Sequence, residues 1–108
     1  MISHPLIQRI TLDLDGVSEW DLYRTVDLLR YKWGLEPEVF RTENGYHVIA
    51  YLPEEITYSF MDLILIRHEL GDDPRRINHD LIRHSLGWPV DTLFTVRRGK
   101  HNRVRVVL

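Results

Sequence analysis

The 108-residue sequence contains no cysteine, only two lysines, and no apolar run that approaches a membrane span. Without cysteine there is no disulfide framework, no thiolate metal site and no thiol nucleophile, so a cytoplasmic setting is expected. The longest apolar run lies near Leu63 to Ile66, far short of the ~20 residues a spanning helix needs. The N-terminus also lacks the charged-then-apolar pattern of a secretory signal, so neither membrane insertion nor export is expected. A basic excess is missing too: 14 Lys and Arg stand against 16 Asp and Glu, for a net charge of −2. That balance disfavours indiscriminate coating of nucleic acid. What remains is ordinary for a globular chain, and residues 1–108 are expected to form one domain that buries roughly two thirds of its unfolded surface.

The near-neutral total conceals a division. Residues 1–66 carry a net charge of −6 and residues 67–108 a net charge of +4. From Arg97 onward there are five basic residues, Arg97, Arg98, Lys100, Arg103 and Arg105, and no acid. A basic end of this kind can face phosphates; a solvated terminal hairpin has the same composition.

Residues 6–15 alternate, with Ile10, Leu12 and Leu14 on one face and Arg9, Thr11, Asp13 and Asp15 on the other. That is the pattern of a strand with one buried face. After Gly16, Ser18 and Asp21 predict a capping-box start to a helix, and Leu22, Val26, Leu29 and Trp33 recur at helical spacing as far as Gly34. Asn44-Gly45 lies between two β-rich runs and predicts a hairpin, since both residues tolerate positive φ. Its strands are expected over 38–43 and 46–52, closed by Pro53. From Glu54 the pattern turns helical through Ile56, Phe60, Leu63, Ile64 and Ile66, and Gly71 stops it. Asp73-Pro74 predicts the cap and first turn of a further helix to Ser85 or Leu86, with Ile77, Leu81 and Ile82 inward. Strands over 90–96 and 103–108 finish the chain around a turn containing Gly99.

The order βαββααββ predicts an α+β fold: a ferredoxin-like or RRM-like split βαβ sandwich, with helices on one face of an antiparallel sheet and an added terminal strand. The second sheet face is expected to be open. If Ile10, Leu12 and Leu14 point at the helices, Asp13 and Asp15 point away from them. If Val48, Ala50 and Leu52 do the same, His47 and Tyr51 join the two acids on the open face.

Two carboxylates at i and i+2 on a strand project the same way and suit a hard divalent cation, Mg²⁺ or Mn²⁺, through oxygen ligands. A third carboxylate completes many such sites, and a nearby imidazole can contact phosphate. This is the inventory of metal-assisted phosphoryl transfer. The plainer alternative is that Asp13 and Asp15 end a strand at a turn, with His47 a half-exposed strand residue.

Leu12-Asp13-Leu14-Asp15-Gly16 and Gly45-Tyr46-His47-Val48 resemble, in order and on the expected strands, two motifs of the archaeal and eukaryotic primase and primase-polymerase superfamily. The resemblance covers about residues 6 to 52. It implies an RRM-like catalytic core in which Asp13 and Asp15 bind metal and His47 helps to bind the phosphates of an incoming nucleotide. Where such primases usually carry Ser ahead of the His, this chain has Thr42-Glu43-Asn44-Gly45, leaving Thr42 as the hydroxyl nearest that position. The third acid of the family pattern is Asp91 or Asp80; Asp91, at the start of an expected strand, fits better. At 108 residues the chain resembles a minimal or decayed core of the kind carried by archaeal mobile elements. If active, it would be a metal-dependent nucleotidyl or phosphoryl transferase in DNA replication.

Two other readings stand beside this one. A non-catalytic RRM-like module would stack a single-stranded base on Tyr51 and hold phosphates with Arg97, Arg98, Arg103 and Arg105. An interaction module would pair its open sheet face or terminal edge strand with a second copy. The stretch from Leu70 to Arg76 reads as a helix stop and restart, or else as Asp72 and Asp73 binding metal and Arg75 and Arg76 binding phosphate. Phe40 and Tyr46 are expected in the core. Trp33 is expected to continue the first helix's apolar stripe and Trp88 to plug the core's edge, Trp20 is expected to be exposed, and His68, His79 and His84 form no zinc-ligand pattern.

Overall fold

Alternation in the first strand is realised directly. In β1 (Arg9–Asp15), Ile10, Leu12 and Leu14 are all buried. The computed structural model describes residues 9–56, 58–90, 96–97, 100–101 and 103–106, with side chains for 9–56, 58–90, 105 and 106. The helix α1 (Glu19–Asp27) opens on the expected capping box: Ser18 Oγ accepts the Asp21 N–H at 3.2 Å, and the Asp21 carboxylate accepts the Ser18 N–H at 3.3 Å. Its last turn, Leu28–Lys32, is π-helical, and the Trp33 N–H donates to the Leu28 carbonyl at 3.1 Å. Leu22, Val26 and Leu29 face the sheet, as their spacing requires.

The strands β2 (Pro37–Thr42) and β3 (Gly45–Tyr51) form the expected hairpin, but not with the expected turn. Glu43 and Asn44 make the connection, and Gly45 is already the first residue of β3. Packing explains the shift. Gly45 lies directly opposite Asp15 on β1, and a Cβ built there would sit 1.8 Å from the Leu14 carbonyl oxygen. Glycine is required here for close approach of two backbones rather than for a turn. Gly16, at φ +67°, then donates its N–H to the Asn44 carbonyl at 2.8 Å, tying the hairpin to the end of β1.

The next helix, α2 (Phe60–Glu69), begins six residues later than the apolar pattern from Glu54 suggests, because the Ser59 and Asp62 side chains form a second capping box. Leu63, Ile66 and Leu70 pack on the core, while Met61 and Leu65 are exposed. The third helix, α3 (Pro74–Ser85), starts on the Asp73 cap as read from the sequence. Only Ile77 of its expected inward set is buried; Leu81 is 38% and Ile82 57% exposed. The position the apolar spacing gave to Leu81 and Ile82 is taken by Asp80, which an arginine holds in the interior.

The short strands β4 (Val96–Arg97) and β5 (Lys100–His101) pair only with each other, and β6 (Arg103–Val106) joins the main sheet. Val90 precedes these without regular structure, so of the strand expected over 90–96 only Val96 is seen as strand; residues 91–95, including Asp91, lie outside the described residues. The protein is thus α+β, with a four-stranded antiparallel sheet in the order β1-β3-β2-β6 and three helices. The order of the first three strands, β1-β3-β2, is compatible with a split βαβ arrangement. The fourth departs from it, lying outside β2 instead of beside β1. Among the described residues no helix is long and apolar enough to cross a membrane.

The open second face is the other correction. His47, at 4% exposure, and Ile49 are buried although both point away from the main core, and Thr11 is buried beside them. Phe40, expected in the core, lies opposite His47 on this same face and is half-buried, whereas Tyr46 does pack against the core. Trp88 is 58% exposed and plugs nothing; Trp33 meets Tyr58 edge-to-face at the core margin.

Candidate functional site

Pairing of β1 with β3 sets Asp13 directly opposite His47. The His47 Nε2 stands 3.6 Å from the Asp13 Oδ1, within ion-pair range but longer than a hydrogen bond. Asp15, two residues on, shares the face of Asp13, and the partner position across from it is the side-chain-free Gly45. The strand registers extend the row across the whole sheet: Asp13 faces His47, His47 faces Phe40, and Phe40 faces Arg105 on β6. With strands ~4.8 Å apart, acid and arginine stand three strand spacings from each other on one face. Arg105 is exposed, as is Tyr51, at 56%.

Electrostatics at the acid end are unusual. Burial, then the neighbouring charge of Asp15 and a hydrogen bond with its carboxyl, push the Asp13 carboxyl up to about 7; Arg76 works against this and Asp72 with it. Burial beside a second carboxylate thus favours the protonated form of Asp13. The Asp13 Oδ1 is buried and has no hydrogen-bond partner among the described residues.

The backbone beneath this pair is held from outside the sheet. The Asp13 N–H donates to the Asp72 Oδ1 at 2.8 Å, and the Asp73 N–H donates to the Asp13 carbonyl at 3.2 Å. Arg76 donates to the Thr11 carbonyl at 2.8 Å and to the Thr11 hydroxyl. The turn between α2 and α3 thus satisfies the outer edge of β1, where an unpaired strand would otherwise present free donors and acceptors. Behind it lies a charge network: Arg67 donates to Asp72 at 2.7 Å and to Asp80 at 2.6 Å, and Arg76 donates to Asp72 at 2.9 Å. Arg67, Asp72 and Asp80 are all buried.

This network corrects two readings of the sequence. Asp72 is not a metal ligand in waiting; its oxygens are taken by Arg67, Arg76 and the backbone N–H groups of Asp13 and Asp73. Asp80 is committed to Arg67 and does not reach the Asp13 site as a third acid. Arg67 itself escaped notice, although a signal existed: it continues the buried stripe of Leu63, Ile66 and Leu70, where a cation needs buried acids within reach.

Of the remaining expected residues, Thr42 is half-buried at the end of β2, its Oγ1 without a hydrogen-bond partner among the described residues. It lies opposite Arg103 in the register. Arg98 and Asp91 lie outside the described residues, as do the side chains of Arg97 and Arg103. His68 and His79 are exposed, and His84 stacks on Phe60 at 3.9 Å. Among the described residues no three His, Asp, Glu or Cys side chains converge as a ligand set. Comparison with family models, with curated proteins and with solved structures finds no match to this chain.

Proposed function

We propose that Asp13, Asp15 and His47 form a site for a divalent cation and the phosphates of a nucleotide, on a variant of the ferredoxin-like sheet that resembles the catalytic core of primases. The observation that carries this reading is the cross-strand placement of His47 against Asp13, with Asp15 beside it on the same face. The donors suit a hard cation: two carboxyls on one strand face, that of Asp13 with a raised pKa and an oxygen that is buried without a hydrogen-bond partner among the described residues. Asp13 and Asp15 would hold Mg²⁺ or Mn²⁺, and Asp91 is the third acid proposed. The cation would supply positive charge to neutralise phosphate oxygens. His47 would donate to a phosphate, with Thr42 as an accompanying hydroxyl.

Mn²⁺ titration followed by calorimetry tests the assignment. The protein is expected to bind Mn²⁺, and the Asp13→Asn, Asp15→Asn double variant is expected to lose that binding. Equal binding by both proteins removes the site. With Mn²⁺ present, a nucleoside triphosphate is expected to bind more weakly to His47→Ala than to the unaltered chain.

A second, non-catalytic reading rests on a different observation: Tyr51 and Arg105 are both exposed on this sheet face. Single-stranded nucleic acid would stack on Tyr51 and lay its phosphates towards Arg105, Arg103, Arg97 and Arg98. Such binding is expected to weaken steeply with salt and to fall in Tyr51→Ala without any requirement for metal. A dimer through the sheet face has less support, since Thr11 and Ile49 at its centre are already buried.

A further inference from the structure

Away from the sheet, α1 and its π turn present Trp20, Tyr23, Arg24, Asp27, Leu28 and Tyr31 along one surface groove. Trp20 is 81% and Tyr31 84% exposed, and Trp20 meets Tyr23 edge-to-face at 6.1 Å. A cluster of three aromatic side chains left in water on one helix marks a contact surface, because isolated apolar residues are common on surfaces and contiguous ones are not. The core-facing side of the same helix is occupied by Leu22, Val26 and Leu29, and these aromatics lie outside the core formed by the described residues.

The order of the groove residues says what covers it. Trp20 and Tyr31 lie equally many residues on either side of a midpoint between Thr25 and Val26, and so do Arg24 and Asp27. Two copies of this helix laid antiparallel about a two-fold axis through that midpoint would set Trp20 against the partner's Tyr31. The same axis sets Arg24 against the partner's Asp27. Aromatic meets aromatic and cation meets anion, each pair made twice. An isologous interface demands this self-complementarity; a surface for an unrelated partner does not. Arg24 and Asp27 are exposed and neither forms a salt bridge among the described residues.

We propose that this face of α1 pairs two copies of the chain across a two-fold axis, with reciprocal Arg24 to Asp27 contacts flanked by the aromatic pairs. The interface does not involve Asp13, Asp15 or His47 and stands or falls independently of the site they form.

Sedimentation equilibrium on the full chain tests it. The protein is expected to dimerise over about 1–100 µM, the weak range that suits a small interface. Arg24→Asp alone and Asp27→Arg alone are each expected to be monomeric across that range, with unchanged circular dichroism, because like charges then face each other. Mixed in equal amounts, the two variants are expected to form a heterodimer, since one presents two acids and the other two bases. Three results overturn the proposal: an unaltered chain that stays monomeric to about 1 mM, single variants that dimerise as it does, or folded variants whose mixture stays monomeric.

Discussion

The Asp72 carboxylate accepts the backbone N–H of Asp13 at 2.8 Å, while its other oxygen takes Arg67 at 2.7 Å and Arg76 at 2.9 Å. One buried side chain therefore joins the helix pair α2–α3 to the strand that carries both candidate acids. It also closes the outer edge of β1, the place a fourth strand would take in the expected sheet order.

Removing Arg67 should expose how much depends on this link. Arg67→Met leaves Asp72 and Asp80 buried without their cation, a change that costs about 3–5 kcal/mol. Chemical denaturation should register that loss, and a loss below about 1 kcal/mol would show that the network relaxes without it.

Gly45→Ala should be far more costly than a surface glycine substitution. The new methyl would meet the Leu14 carbonyl oxygen at 1.8 Å, a contact with backbone that no rotamer change relieves. A loss of about 3 kcal/mol is expected, at the upper end of overpacking costs. An unchanged denaturation midpoint would mean that β1 and β3 do not approach as described.

Acidity at Asp13 predicts the direction of a pH effect. Its carboxyl holds its proton up to about 7 in the folded protein against 3.8 for an unperturbed group. Folding is therefore favoured by the protonated form: the contribution is fully present below about pH 4 and is lost as pH rises through about 7. Relative to Asp13→Asn, whose side chain stays neutral, the unaltered protein should lose stability between those pH values. A constant difference between the two proteins across that range would contradict the raised pKa.

Local rules carried the sequence reading a long way. The Ser18 and Asp73 caps and the alternation of β1 depend on neighbours a few residues apart, and each stands where the spacing put it. So does the cross-strand approach of Asp13 and His47, since a strand's faces follow from a period of two. What failed depended on distant partners. Gly45 looked like a turn residue because nothing local shows that β1 crosses it. Leu81 and Ile82 looked buried because apolar spacing cannot show that Arg67, thirteen residues before Asp80, draws an acid inward instead. The sheet order changed for the same reason: the edge of β1 is satisfied by a turn between helices, which leaves no hydrophobic period to read.

The central claim, that Asp13 and Asp15 hold a divalent cation, is tested most directly on the Asp13 carboxyl itself. Its carbon resonance can be followed against pH by nuclear magnetic resonance, with and without saturating Mg²⁺. Without the cation the midpoint is expected at about 7; with it, metal and proton compete for the same oxygens and the midpoint should fall by at least about one unit. A midpoint that Mg²⁺ leaves unmoved would contradict the account.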